Sequence, residues 1–275
     1  MKQLIKNLIK KNIPSRYIEL ITSKGITLTK IPKGAAVISD LFLLRVEEGW
    51  ETYFECLQFQ SLLNAEVNEY TKRVHIVFYN QKGDYIGEKQ VNVENTLKTT
   101  LDMNKIAAGL GIEKDGLFSV FHPYKENWVN KFNSYLTERG YVGYANKKLG
   151  PIKGFVHGNL DAIAKYHDKS GYQLLGNYSY LEKEFLLQHD LNPSNTYELY
   201  LVNPTNKTQK FSIIEKNKMN QPTIRFSLPA RGSYKYVRIV NNGEKKINII
   251  IKSKLYLARP VVFKIMPKAF DVFHG

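Results

Sequence analysis

The sequence predicts a mainly β protein: two tandem, internally duplicated β-sandwich units of jelly-roll or immunoglobulin-like kind, preceded by a short amphipathic helix. Three observations carry this expectation. The 275 residues include 18 Tyr and 14 Phe, with an apolar fraction of 43%, a composition that suits half-buried pleated surfaces and excludes disorder. Short alternating segments separated by Asn, Pro and Gly turns run through most of the chain. The second half also echoes the first, in the same order.

The first 29 residues stand apart. Leu4, Ile5, Leu8, Ile9 and Ile13 recur at helical spacing among Lys2, Lys6, Lys10 and Lys11, and Pro14 stops the run. The segment is too short and too charged to span a bilayer and lacks the apolar core of a signal peptide. A basic amphipathic helix over residues 1–13 suits an anionic membrane surface or the body of its own protein. A second helical run extends from Ser15 towards Gly25.

Residues 30–168 form the expected first unit. Strands are predicted over Ala36–Leu44, Trp50–Phe59, Arg73–Asn80, Tyr85–Val93 and Leu117–His122. The turn Gln81-Lys82-Gly83-Asp84 makes Arg73–Val93 a hairpin, and short helices fall around Met103–Gly109 and Asn127–Phe132. The break Tyr166-His167-Asp168-Lys169-Ser170-Gly171 leads to the second unit, 169–275. It reads as strands over Glu184–His189, Tyr197–Val202, Thr208–Glu215, Thr223–Leu228, Tyr234–Val240, Lys246–Ser253, Arg259–Ile265 and Ala269–Phe273.

Four pairings make up the echo. Val74–Asn80 matches Tyr197–Asn203, Gly116–Phe121 matches Ile247–Ile251, and Ser134–Tyr144 matches Ser253–Phe263. Each half then closes on a short His-Gly segment, Phe155-Val156-His157-Gly158 and Val272-Phe273-His274-Gly275. On this alignment Arg139 and His157 answer Arg259 and His274.

Charge and cysteine narrow the setting. A net charge of +15 attracts anions such as phosphates, acidic sugars or a lipid surface, but the lysines are spread along the chain and do not mark a nucleic-acid binder. The single cysteine, Cys56, in an alternating strand, reads as a buried structural thiol in a reducing, cytoplasmic compartment.

No phosphate loop, HExxH helix, paired-cysteine metal site or Gly-x-Ser-x-Gly elbow occurs in the sequence. No cofactor is expected, and no nucleophile, base and orienting group assemble from spacing alone. The candidate ligand site is therefore a loop. His157, Asn159 and Asp161 gather an imidazole, an amide and a carboxylate around Gly158, a set able to hold a sugar or, through His157 and Asp161, a metal. The alternative reading makes them turn caps. Arg139 and Arg259 suit either an anion clamp or a structural ion pair, and His274 completes the candidate set.

The stretch from Arg139 to Asn159, with the terminal Phe-Asp-Val-Phe-His-Gly, resembles uncharacterised bacterial proteins from surface-polysaccharide gene neighbourhoods. The resemblance implies a setting and carries no functional residue across. The leading expectation is an accessory protein of surface-glycan assembly at the inner membrane face, recognising an acidic or phosphate-linked saccharide or a partner protein. The alternatives are a metal-assisted sugar-modifying enzyme and a structural protein whose edge strands pair into homo-oligomers.

Overall fold

The computed structural model describes residues 26–27, 36–57, 73–93, 98–123, 140–157, 164–167, 171–174, 178–205, 207–216, 223–255 and 260–275, with backbone only for 26–27, 36–40, 123, 152, 164–167, 171–174 and 178–180. The N-terminal helical segment expected over residues 1–25 and the helix expected at Asn127–Phe132 lie outside them, as do Arg139, Asn159, Asp161 and Arg259.

Nineteen strands and one short helix are described, in chain order β1 (Ile26–Thr27), β2 (Ala36–Leu44), β3 (Trp50–Leu57), β4 (Arg73–Asn80), β5 (Tyr85–Asn92), β6 (Lys98–Asp102), α1 (Met103–Ala108), β7 (Gly116–Pro123), β8 (Gly140–Asn146), β9 (Gly150–Val156), β10 (Ala164–His167), β11 (Gly171–Leu174), β12 (Tyr178–Leu186), β13 (Asn195–Val202), β14 (Gln209–Lys216), β15 (Thr223–Leu228), β16 (Ser233–Val240), β17 (Asn248–Leu255), β18 (Val261–Met266) and β19 (Ala269–His274). The protein is mainly β. Helix α1 begins where the Asp102 side chain accepts the Lys105 N–H at 2.9 Å, an N-cap that satisfies one orphan donor.

The strands form four sheets. The first has the order β1-β11-β10-β2-β7-β4-β5, and the others are β6-β3-β8-β9, β12-β17-β14-β15 and β16-β13-β18-β19. The sequence-based division between units, at 168/169, falls between β10 and β11, which pair with each other antiparallel and both belong to the first sheet.

Setting β10, β11 and β1 aside exposes a repetition. The order β2-β7-β4-β5 recurs as β12-β17-β14-β15, and β6-β3-β8-β9 recurs as β16-β13-β18-β19. Every strand of one series has its counterpart ten strands on. Three of the four sequence echoes fall on such counterparts: β7 with β17, β8 with β18, β9 with β19. The first does not. Val74–Asn80 is β4, whose counterpart is β14, whereas Tyr197–Asn203 is β13 and its end, the counterpart of β3. Alternating Tyr, Val and Leu with a closing Asn are common to any half-buried strand, so these two segments match without sharing a place.

Sheets face one another through aromatic rings. Phe42 on β2 and Phe118 on β7 meet Phe54 on β3, at centroid distances of 5.0 and 5.9 Å. In the second half Phe226 on β15 stacks on Tyr234 of β16 at 4.0 Å. The two halves join across the sheets that hold β3 and β13. Trp50 and Tyr144 meet Phe263 at 5.0 and 4.9 Å, and Trp50 also meets Phe270 at 4.9 Å.

Arg45 sits in that seam with 1% of its surface exposed. Its guanidinium carbon lies 4.0 Å from the Trp50 ring centre, 4.6 Å from Phe263 and 5.1 Å from Tyr200. Its Nη1 is 2.8 Å from a Glu198 carboxylate oxygen, and its Nε is 3.7 Å from Asp115. Lys235 reaches the other Glu198 oxygen at 2.5 Å, and Asp115 also accepts the N–H groups of Val46 and Glu47. Two cations and two anions thus balance inside an aromatic cage. A second junction brings the β4–β5 turn against the β15–β16 turn, where Ser233 N–H donates to Gln81 O at 2.9 Å. Gly83 has φ +85° there, and a Cβ on it would stand 1.8 Å from the Ala230 carbonyl oxygen, so only glycine fits.

Replacing Arg45 by Met keeps the apolar volume but leaves buried Asp115 without a cation and Glu198 with Lys235 alone. The unfolding free energy should fall by about 3–5 kcal/mol, read from the urea midpoint, while Lys235→Ala, at a side chain 35% exposed, should cost much less.

Candidate functional site

The loop singled out by the sequence is described only at its first residue. His157 follows β9 directly, exposed, with its ring 4.4 Å from that of Tyr141. Asn159, Asp161, Arg139 and Arg259 are outside the described residues. His274, at the end of β19, donates from Nε2 to the His157 carbonyl oxygen at 2.8 Å. The closing segments of the two halves therefore touch, through one imidazole and one backbone carbonyl.

The two histidines are not in equivalent places. His274 stands opposite Val261 in the β18–β19 ladder, while Val156 stands opposite Val142 in the β8–β9 ladder. Matching Tyr144 to Phe263 makes Val156, not His157, the counterpart of His274. A slip of one residue reverses the face of a strand side chain, so the repeated His-Gly letters mark one corner built in two ways. Gly275 is buried and its N–H donates to the Pro260 carbonyl at 3.0 Å. Among the described residues no group of three His, Cys, Asp or Glu side chains is placed to hold a metal ion.

A different surface gathers ligand-binding chemistry. On β14 the residues Phe211, Ile213 and Glu215 face the interior, so Lys210, Ser212, Ile214 and Lys216 face outward. The ladders extend the pattern across the sheet. Arg225, Ser212, Lys252 and Glu184 stand in one row over four strands, and Thr223, Ile214, Ile250 and Leu186 form the next. Lys210 stands opposite Ser227. The result is an open groove of about 590 Å³ lined by Lys210, Arg225 and Lys252, the hydroxyls of Ser212, Thr223 and Ser227, and Glu182. Adjacent strands lie about 4.8 Å apart, so the cations are spread along the groove, not focused on one point. Lys252 Nζ meets Glu184 at 2.6 Å, and that ammonium holds the Glu184 carboxyl below the usual carboxylate range.

The counterpart face in the first half is of the opposite character. Phe78 and Phe118 contact each other and, through Phe118, Phe54 of the facing sheet. The alternate residues Val77, Tyr79, Leu117, Ser119 and Phe121 point the other way, yet all are buried. Burial pushes the Tyr79 hydroxyl up to about 12. One face of the repeated strand order is buried and mostly apolar over β7 and β4, with the His75–Glu88 pair at its β5 edge; its counterpart is cationic, hydroxylated and open.

Sequence reading missed this groove. The signal was present as cations and hydroxyls at every second residue of Gln209–Lys216 and Thr223–Leu228, but each alternation alone resembles any solvated strand. Only the ladder registers align them into rows.

No family model matches the chain, and no curated protein matches it. Among solved structures it is similar to a β-glucuronidase from glycoside hydrolase family 2, at 9% identity and a TM-score of 0.14. That alignment covers 93% of this chain and 25% of the other, so the chain spans about a quarter of that enzyme's length. So low a score carries no weight for fold or function.

His274→Phe keeps the ring volume and removes the donor to His157. The expected loss is about 0.5–1.5 kcal/mol of stability in thermal or urea unfolding, with binding at the groove unchanged.

Proposed function

We propose that the chain is a tandem duplicate of one eight-stranded β-sandwich, in which the second unit is an anion-binding module for an acidic or phosphate-bearing saccharide. The strand order repeated without exception over eight strands supports the duplication. The observation that carries the function is the contrast between the two outer sheet faces. The first is mostly buried and apolar over β7 and β4, with the His75–Glu88 pair at its β5 edge, and the second is open and lined by Lys210, Arg225 and Lys252.

The chemistry of the groove suits such a ligand. The planar fork of Arg225 can take two oxygens of a carboxylate or phosphate, and Lys210 acts as a mobile point charge. Ser212, Thr223 and Ser227 can donate to and accept from sugar hydroxyls. The outward positions of the Arg225 and Thr223 rows hold no aromatic ring, so recognition does not use the stacking that neutral sugars favour. Charge and hydroxyl bonding dominate, and exposed charges are screened by salt. The chain then serves as a binding component of glycan assembly, in keeping with its net charge of +15 and its likeness in sequence pattern to proteins of that setting.

Calorimetric titration with oligogalacturonate and with glycerol-phosphate oligomers tests this reading. Binding at low ionic strength should weaken as salt is raised, and Lys210→Glu with Arg225→Glu should weaken it by at least ~10-fold, about 1.4 kcal/mol. Neutral dextran should not bind. Equal binding of dextran, or affinity untouched by the charge reversals, would contradict the reading.

A further inference from the structure

The repeated strand order also shows what the second half lacks. In the first half the outer edge of β2 is paired by β10, with Lys165 opposite Val37 and Ala164 opposite Ile38. The counterpart of β2 is β12, which among the described residues pairs only with β17, on the other side. Among the described residues no strand lies along the outer edge of β12 at Lys183–Leu186.

Backbone geometry makes this edge an acceptor. Leu187 N–H donates to the Ile249 carbonyl at 2.8 Å. Bonding alternates along an antiparallel ladder, so Lys183, Phe185 and Leu187 turn their N–H and C=O groups towards β17. Glu184 and Leu186 turn theirs to the open side, while their side chains share the outward face. Leu186 is 58% exposed. Beside the edge lies a pocket of about 310 Å³ lined by Phe185, Leu187, Ile251 and Pro260, with Glu184 and Gln188 at its polar side, large enough for a side chain. Glu182 and Glu184 place carboxylates on the outward face of this edge, Glu184 also meeting Lys252 at 2.6 Å.

We propose that the β12 edge accepts an extended strand from a partner polypeptide in which cationic and apolar residues alternate. The added strand pairs with the backbone of Glu184 and Leu186, sets a cation beside Glu182 and Glu184, and drops an apolar side chain into the Phe185–Pro260 pocket. This is strand addition to a sheet edge, in which backbone bonding gives affinity and alternate side chains give specificity. The first half supplies the internal precedent, since β10 reads Ala164-Lys165-Tyr166-His167. The edge borders the groove through Glu182 and the Glu184–Lys252 pair, but the proposal does not depend on saccharide binding.

Hydrogen–deuterium exchange on the full chain, with a synthetic peptide of residues 162–169 as the probe, decides it. Saturable slowing of exchange confined to residues 183–187 is expected. Leu186→Pro removes one outward N–H and leaves the β12–β17 bonds intact, as proline is tolerated on an edge. It should abolish that slowing with little change in the urea midpoint, whereas Leu186→Thr, which keeps the N–H, should retain it. No slowing with the peptide, or slowing unaffected by Leu186→Pro in a folded protein, overturns the proposal. Slowing at 183–187 that rises with protein concentration in the absence of peptide also overturns it, because a second copy then holds the edge.

Discussion

A guanidinium buried to 1% exposure can exist only where its charge is matched, because stripping water from an ion costs several kcal/mol. Arg45 meets that condition with groups from both halves of the chain. Asp115 comes from the first, Glu198 from the second, and the rings of Trp50, Phe263 and Tyr200 close around the cation. Neither half can satisfy Arg45 alone. The seam is therefore selective as well as adhesive: the aromatic contacts supply burial, and the ion set admits one arrangement of the two sheets.

That constraint decides where a ligand can go. The sheets holding β3 and β13 give one face to the sheet that packs on each through aromatic rings and the other to the seam around Phe263. What remains are the outer faces of the other two sheets. The first carries Val77, Leu117 and Phe121, all buried, with Ser119 among them and the His75–Glu88 pair towards β5. The second carries Ser212, Lys252 and Arg225 on the same strand positions. Outward residues can diverge in this way without cost to the fold, because Phe211, Ile213 and Ile251 still hold the interior.

The mainly β character and most strands were legible in the sequence, because local signals specify them. Arg73–Asn80 and Thr223–Leu228 are bounded by turn residues and match β4 and β15 end to end. Helix α1 was legible because Asp102 caps a short apolar run. Arg45 was not legible: it follows an apolar strand and precedes a turn, and nothing local says that Glu198, more than 150 positions on in sequence, will meet it. Partner choice between sheets is set by global packing and leaves no trace in periodicity. The echo misled in two places for a related reason. Val74–Asn80 and Tyr197–Asn203 share letters but not position, and His157 and His274 share a motif but differ by one place in register. Sequence similarity between strands reports their pattern, whereas strand order and register decide which atoms face one another.

The claim that the β12-β17-β14-β15 face is the ligand surface rests on which lysines a bound saccharide covers. Covalent acetylation read by mass spectrometry, with and without saturating oligogalacturonate, measures that directly. The account predicts that Lys210 and Lys252 become slower to react while Lys98, Lys147 and Lys153, on strands or turns of the first half, are unchanged. Uniform slowing of all lysines, or protection centred on Lys153 beside His157, would contradict it.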